Sequence, residues 1–284
     1  MFTIPAIILR ILSNSCSNVF QKKLTAEGMP SLTVNFFTYA GLSIVCIVLF
    51  PTLHPAVLTI KTWEYALTGG LLGALGNGFL IKALEKGELS LLGPINSYKA
   101  VAAMAAGIIF AGEIPSPAGI FATALIIFGS YFIFSSTEEG FSLKLLKRKD
   151  IQYRILALIF TAAEAVFIKK IIVLSDIKTA FVLWCVFGTI FSFFLLKVKK
   201  IKIEIPAKKT SFLVLFLIIS TGLMQYTTNY VFKNMNVSYA LALFQLSTIL
   251  SVILGWKYFN ETDLKKKLLG SAIMVAGAVI LILL

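Results

Sequence analysis

Residues 18–23 read Asn18-Val19-Phe20-Gln21-Lys22-Lys23, and residues 165–170 read Ala165-Val166-Phe167-Ile168-Lys169-Lys170. The two stretches lie 147 positions apart, and each closes an apolar run with a lysine pair. A second match follows at nearly the same offset. Phe110-Ala111-Gly112-Glu113 with Gly129 beyond it answers Phe259-Asn260-Glu261 with Gly277, and the spacing from Glu to Gly is the same in both. Self-similarity at a fixed period marks a duplicated unit, and here the unit is about half of the 284-residue chain.

The content of that unit follows from its apolar runs. A hydrocarbon core about 30 Å thick takes about 20 apolar residues of helix. Cutting the chain where charges, Gly/Pro or Asn clusters interrupt such runs gives ten segments: Ile4 to Gln21, Leu32 to Leu53, Tyr65 to Leu84, Leu89 to Gly112, Ala118 to Phe134, Ile151 to Ile172, Thr179 to Leu196, Ser211 to Phe232, Val237 to Phe259 and Leu264 to Leu284. The runs are continuous and do not alternate, which disfavours a β-barrel. The expected fold is an all-α integral membrane protein of ten transmembrane helices, with a first five-helix repeat over 1–134, a linker over 135–150 and a second repeat over 151–284. An odd number of spans turns the second copy over, so the halves are related by an in-plane pseudo-two-fold, as in secondary transporters. Two inverted copies have inward-open and outward-open states of similar structure, and a central site can then face either side. The alternative is that duplication merely built a larger bundle.

Composition agrees with this class. Hydrophobic residues make up 58% and charged residues 14%, against about half and about a quarter in soluble domains, and the mean hydropathy is +0.91. A cytosolic enzyme and a disordered chain are excluded. Cys16, Cys46 and Cys185 lie in apolar runs and are odd in number, which argues against a disulfide framework. The net charge of +13 comes from residues between the runs, where they face lipid headgroups rather than nucleic acid. Arg10 interrupts the run from Ile4 to Leu12 and no small-residue cleavage site follows, so this reads as the first span and not a removable signal. Lys197 to Ile205 alternates lysines with apolar residues, and a lone strand there has no partner, so an interfacial loop is expected.

The half-repeats resemble paired EamA-type domains of the drug/metabolite transporter superfamily. The residues that carry the resemblance are the span with Pro94 ending in Phe110-Ala-Gly-Glu113-Ile-Pro-Ser, the next span to Gly129, and the counterpart Gly255-Trp-Lys-Tyr-Phe-Asn-Glu261 with Gly270 and Gly277. The resemblance covers almost the whole chain. It implies ten helices, a central cavity lined by the first four helices of each half, and a fifth helix of each half packed outside. The chain departs from the pattern at Ala242, where the second half has no proline to match Pro94.

An ionised side chain at mid-bilayer costs on the order of 3 kcal/mol by insertion scales, so charges within the runs are functional candidates. Glu164 is the one acidic residue deep in a span, Lys99 is the clearest basic one, and Arg10 lies near enough to an end to snorkel. By the resemblance, Lys99 and Glu164 fall on cavity-lining helices, where they would hold the carboxylate and ammonium of a zwitterion; alternatively Glu164 is a proton-coupling acid, or the two form a buried ion pair. Amides and hydroxyls add helical stripes: Asn14, Asn18 and Gln21, with Arg10 and Ser17 beside them; Asn96 and Lys99, with Ser97 and Tyr98 adjacent; Gln225 and Asn229; Gln245 and Thr248. The repeat sets Asn77 opposite Gln225 and Ser97 opposite Gln245. Each amide taken alone also fits interhelical hydrogen bonding at about 0.6 kcal/mol; as a set they point to a wet cavity. The candidate substrate-binding residues are thus Lys99, Glu164, Asn14, Asn18, Asn77, Asn96, Tyr98, Gln225, Asn229, Gln245 and Thr248.

Gly69, Gly70, Gly73, Gly76 and Gly78 follow no strand and precede no P-loop lysine, so they read as a helix-packing face. Trp63 and Trp256 sit near span ends as interface anchors, and Trp184 reads as lipid-facing or core. His54 is the single histidine, no metal-ligand or Ser/His cluster appears, and Walker elements are absent; neither enzyme activity, a metal, a cofactor nor direct ATP use is expected. Lysine and arginine concentrate in the odd-numbered loops, which by the positive-inside rule puts both termini outside the cytoplasm; members of the family are generally drawn with both inside. The function expected is secondary active transport of a small polar or amphipathic metabolite, amino-acid-like, by a cell-membrane monomer using alternating access, with protons as the candidate coupling ion. A passive channel or lipid scramblase is the alternative.

Overall fold

The computed structural model describes residues 2–53, 55–106, 116–203 and 206–283. Glu113, Gly112, His54, Ile205 and Leu284, each part of a reading above, lie outside the described residues. The chain is a succession of helices: α1 (Thr3–Ala26), α2 (Ser31–Cys46), α3 (Ile60–Lys86), α4 (Leu89–Leu92), α5 (Tyr98–Ala106), α6 (Pro117–Phe134), α7 (Lys149–Leu174), α8 (Ile177–Val198), α9 (Lys208–Asn234), α10 (Val237–Phe244), α11 (Ser247–Phe259) and α12 (Leu264–Leu283). No strand occurs among the described residues, including 201–203 of the alternating lysine segment.

Among the described residues, five helices are long and apolar enough to cross a membrane: Ile60–Lys86, Pro117–Phe134, Ile177–Val198, Thr210–Asn234 and Tyr239–Phe259. Two that fall short, α1 and α7, are those that bring Arg10, Asn14, Asn18, Arg154 and Glu164 to the interior. The second apolar run is shorter as a helix than its hydropathy suggests. After Cys46 the amides of Ile47, Val48 and Leu49 turn to carbonyls three residues back, and Pro51 follows in a 3₁₀ turn.

Two of the ten expected segments are broken. The fourth consists of α4, a 3₁₀ turn over Pro94–Ser97, and α5. The ninth breaks between α10 and α11 although Ala242 stands where Pro94 has its counterpart. There the amides of Gln245, Leu246 and Thr248 bond to Ala242, Leu243 and Gln245, a tightened three-residue register. The Gln245 amide and the Ser247 and Thr248 hydroxyls bond the carbonyls of Leu241, Phe244 and Gln245. Side chains thus satisfy backbone groups that a proline break would free, as buried backbone in a membrane requires.

Packing pairs one half with the other. α3 runs along α7, α1 along α9, α2 against α8, and α6 against α12. The glycines of α3 make the first contact close: Gly69 faces Phe167 and Gly76 faces Thr161, both on α7. α6 and α12 cross where Gly129 meets the Gly270 backbone. Trp63 and Trp256 remain about half exposed at 45% and 51%.

At one end of the bundle, Glu261 ties three elements together. Asn260 takes the left-handed conformation (φ 52°) that ends α11, and the Glu261 carboxylate turns back over Gly255. It accepts the Leu89 and Ser90 amides at the start of α4, at 2.7 and 2.8 Å. Lys22 of α1 lies 3.3 Å from the same carboxylate and donates to the Gly87 carbonyl. Lys267 pairs with Glu88 beside it. At the other end Lys169 donates to the Phe232 and Met235 carbonyls at the close of α9. Lys22 and Lys169, matched by the repeat, each grip the C-terminus of a helix of their own half: Lys22 that of α3, Lys169 that of α9.

Candidate functional site

Between the halves lies a cavity of about 130 Å³, walled by α1, α3, α7 and α9 and by the broken fourth and ninth segments. Its lining includes Arg10, Asn14, Asn18, Asn77, Asn96, Lys99, Arg154, Glu164, Trp184, Gln225 and Thr248.

Amides and hydroxyls stitch its walls. Gln21 of α1 donates to Asn77 of α3 at 3.1 Å, Asn77 donates to Asn35 of α2 at 2.8 Å, and Asn35 donates to the Ala74 carbonyl at 2.9 Å. Across the halves Asn14 donates to Ser247 at 3.2 Å and Ser17 bonds Thr221 at 2.8 Å. The two breaks meet directly, with the Asn96 amide donating to Gln245 at 3.0 Å. The two breaks are thus tied to each other by side chains.

The charged groups are arranged unequally. The indole N–H of Trp184 donates to Glu164 at 2.5 Å, and the Tyr39 ring packs on the indole with centroids 4.7 Å apart. Gly73 makes this possible, since a Cβ there would run into the Glu164 carboxylate and the indole nitrogen. The Arg10 guanidinium lies 4.1 Å over the Phe244 ring and donates to Thr228 at 3.4 Å. Arg154 donates to the Leu92 carbonyl, the last of α4, at 2.8 Å. Among the described residues Lys99 has neither a hydrogen bond nor an ion pair, so the Lys99–Glu164 salt bridge considered from sequence is not formed.

Of the candidates named from sequence, Lys99, Glu164, Asn14, Asn18, Asn77, Asn96, Gln225 and Thr248 line this cavity. Three do not. Tyr98 points the other way into an apolar groove with Phe134 and Phe141, its hydroxyl donating to Ser130 at 2.9 Å. Asn229 is fully buried behind Gln225, the two amides meeting at 3.0 Å. Gln245 stands behind Asn96, at 1% exposure. Sequence reasoning missed Arg154 and Tyr39, set Arg10 beside the polar stripe of the first span while letting it snorkel, and put Trp184 among the mostly lipid-facing or core aromatics. Arg154 follows closely on the basic run Lys147-Arg148-Lys149, which made it look like part of the interface.

Apolar helices wrapped around a charged interior cavity are the build of a membrane transport protein. The model of the EamA-like transporter family matches residues 1–135 and 150–283, and the chain belongs to that family, within the drug/metabolite transporter superfamily. A solved crystal structure shares the fold with TM-score 0.69 at 14% identity, the match covering 98% of this chain and 95% of the other. The chain matches no curated protein.

Proposed function

We propose that the chain is a secondary active transporter that moves a small polar or amphipathic metabolite, amino-acid-like, by alternating access between two inverted five-helix halves. The observation that carries this reading is the charged cavity between the halves, where the two broken segments meet through Asn96 and Gln245 at 3.0 Å. Broken helices around a central site are what a transporter of this build uses to bind cargo and rearrange. Exchange of the halves turns the α3–α7 contact into the α9–α1 contact and leaves α2–α8 and α6–α12 paired with themselves, which supports a two-fold relation. The cavity volume of about 130 Å³ favours a compact metabolite over a drug-sized molecule. Glu164 is the single carboxylate in the lining among the described residues, and so the candidate proton carrier if transport is proton-coupled.

Purified protein in proteoliposomes, assayed for counterflow with a panel of amino acids and small organic acids, tests the reading. Saturable exchange that is lost in Lys99→Ala and Glu164→Gln, with both variants folded, is expected. Flux that never saturates would instead indicate a passive channel or scramblase, and exchange unchanged in both variants would dismiss the site.

A further inference from the structure

We infer that the substrate carries two carboxylates: the cavity is built for a small dicarboxylate, acidic amino acids included. This rests on the cavity being the transport site, and it narrows that reading. Among the described residues the lining holds three cationic side chains, Arg10, Lys99 and Arg154, against the single carboxylate of Glu164. A neutral zwitterion would leave that imbalance in place inside the bilayer, where unpaired charge is expensive. A substrate with two carboxylates offsets it.

The placement of the three cations adds direction to the count. Arg10 sits about two turns into the first helix of its half and Arg154 about one and a half turns into the first helix of the other. Each is seated against the end of a half-helix: Arg154 on the carbonyl of Leu92, which ends α4, and Arg10 on the ring of Phe244, which ends α10. Only the Nε of each has a hydrogen bond among the described residues, so the two terminal nitrogens of each guanidinium, the pair that forms a fork with a carboxylate, are uncommitted. Lys99, on the helix that follows the first break, is uncommitted as well. A carboxylate can therefore meet an arginine toward either end of the cavity while Lys99 holds the second. Glu164, steadied by Trp184, is the one group suited to an ammonium. L-Aspartate would use all four charged residues, and succinate would use the three cations.

The test is a thermal-unfolding titration of the purified full chain with L-aspartate, succinate, L-asparagine and L-leucine, at ionic strength matched with sodium chloride. A ligand that binds the folded state raises the melting temperature, with an onset near its Kd and a logarithmic rise above it. Aspartate and succinate are expected to do so at concentrations at least tenfold below asparagine, which differs from aspartate by one lost charge, and leucine is expected to be silent. Asparagine or leucine acting at or below the aspartate concentration overturns the inference, as does silence from all four. If leucine or asparagine stabilises the protein and Lys99→Ala abolishes the shift, the cavity remains the binding site and only the two-carboxylate class falls. If aspartate and succinate act equally on wild type, Lys99→Ala, Arg10→Lys and Arg154→Lys, binding lies elsewhere, and the inference and the transport-site reading fall together.

Discussion

Glu164 illustrates how much a single residue in a membrane interior depends on its neighbours. Its carboxylate has an indole N–H at 2.5 Å, and it has room only because residue 73 has no side chain. Gly73→Ala should therefore displace the carboxylate and reduce exchange of whichever metabolite the wild type transports at least tenfold. Gly69→Ala, whose Cβ would meet only Phe167 at 3.3 Å, should stay near wild type. Equal transport by Gly73→Ala and wild type in the counterflow assay would refute this role. At this scale the sequence was informative where polarity contrasts with its surroundings: Lys99 and Glu164 stand out because nearly everything around them is apolar. It was uninformative where the contrast is missing. Trp184 looks like any aromatic in a span, and Tyr98 differs from Lys99 by one position, which on a helix is about 100° of rotation.

Two helix starts show how elements are fixed by groups at their ends. α8 begins at Asp176, whose side chain accepts the Lys178 and Thr179 amides at 2.7 and 2.9 Å and the Thr179 hydroxyl at 2.9 Å. Burial works against the carboxylate, yet these donors together hold its pKa below the ordinary value. A lowered pKa contributes stability that is present above the unfolded value of about 4 and disappears as pH falls through the folded value. Asp176→Ala should accordingly cost about 1 kcal/mol at neutral pH, with the gap to wild type closing as pH falls below the unfolded value. A gap in unfolding midpoint that persists in acid would contradict the capping assignment. α4 begins under Glu261, a residue of the other half. Glu261→Gln removes the charge from two amide contacts and from Lys22 and should destabilise by about 2 kcal/mol. Amide hydrogen exchange at Leu89 and Ser90 should rise at least tenfold, and unchanged protection there would show that the carboxylate does not hold the α4 start. The break in the ninth segment belongs to this scale too. It was not foreseen at Ala242, because serine, threonine and glutamine side chains replace the signal that a proline would have given.

For the whole molecule, the decisive question is whether the halves are inverted. Contacts gather the turns near Lys22, Gly87, Glu88 and Glu261 at one end, and those near Lys169, Ile177 and Met235 at the other. Five spans per half, as proposed, would put a reporter in the 135–150 connection on the opposite side of the membrane from one at the C-terminus. The loop lysines predict the connection inside and the C-terminus outside. A pair of side-specific reporters would measure both. Finding the two on the same side would exclude the inverted repeat, and finding the C-terminus inside would overrule the charge count while leaving inversion intact. The membrane class, the duplication and the approximate position of each helical segment were determined by the sequence alone, because bilayer thickness sets the length of an apolar run and duplication leaves a period. The tertiary structure decided which polar residues share a cavity, that among the described residues three cations and one carboxylate line it, and that Glu261 of one half holds a helix of the other. These depend on rotations about helix axes and on contacts between residues more than a hundred positions apart, and no local pattern records either.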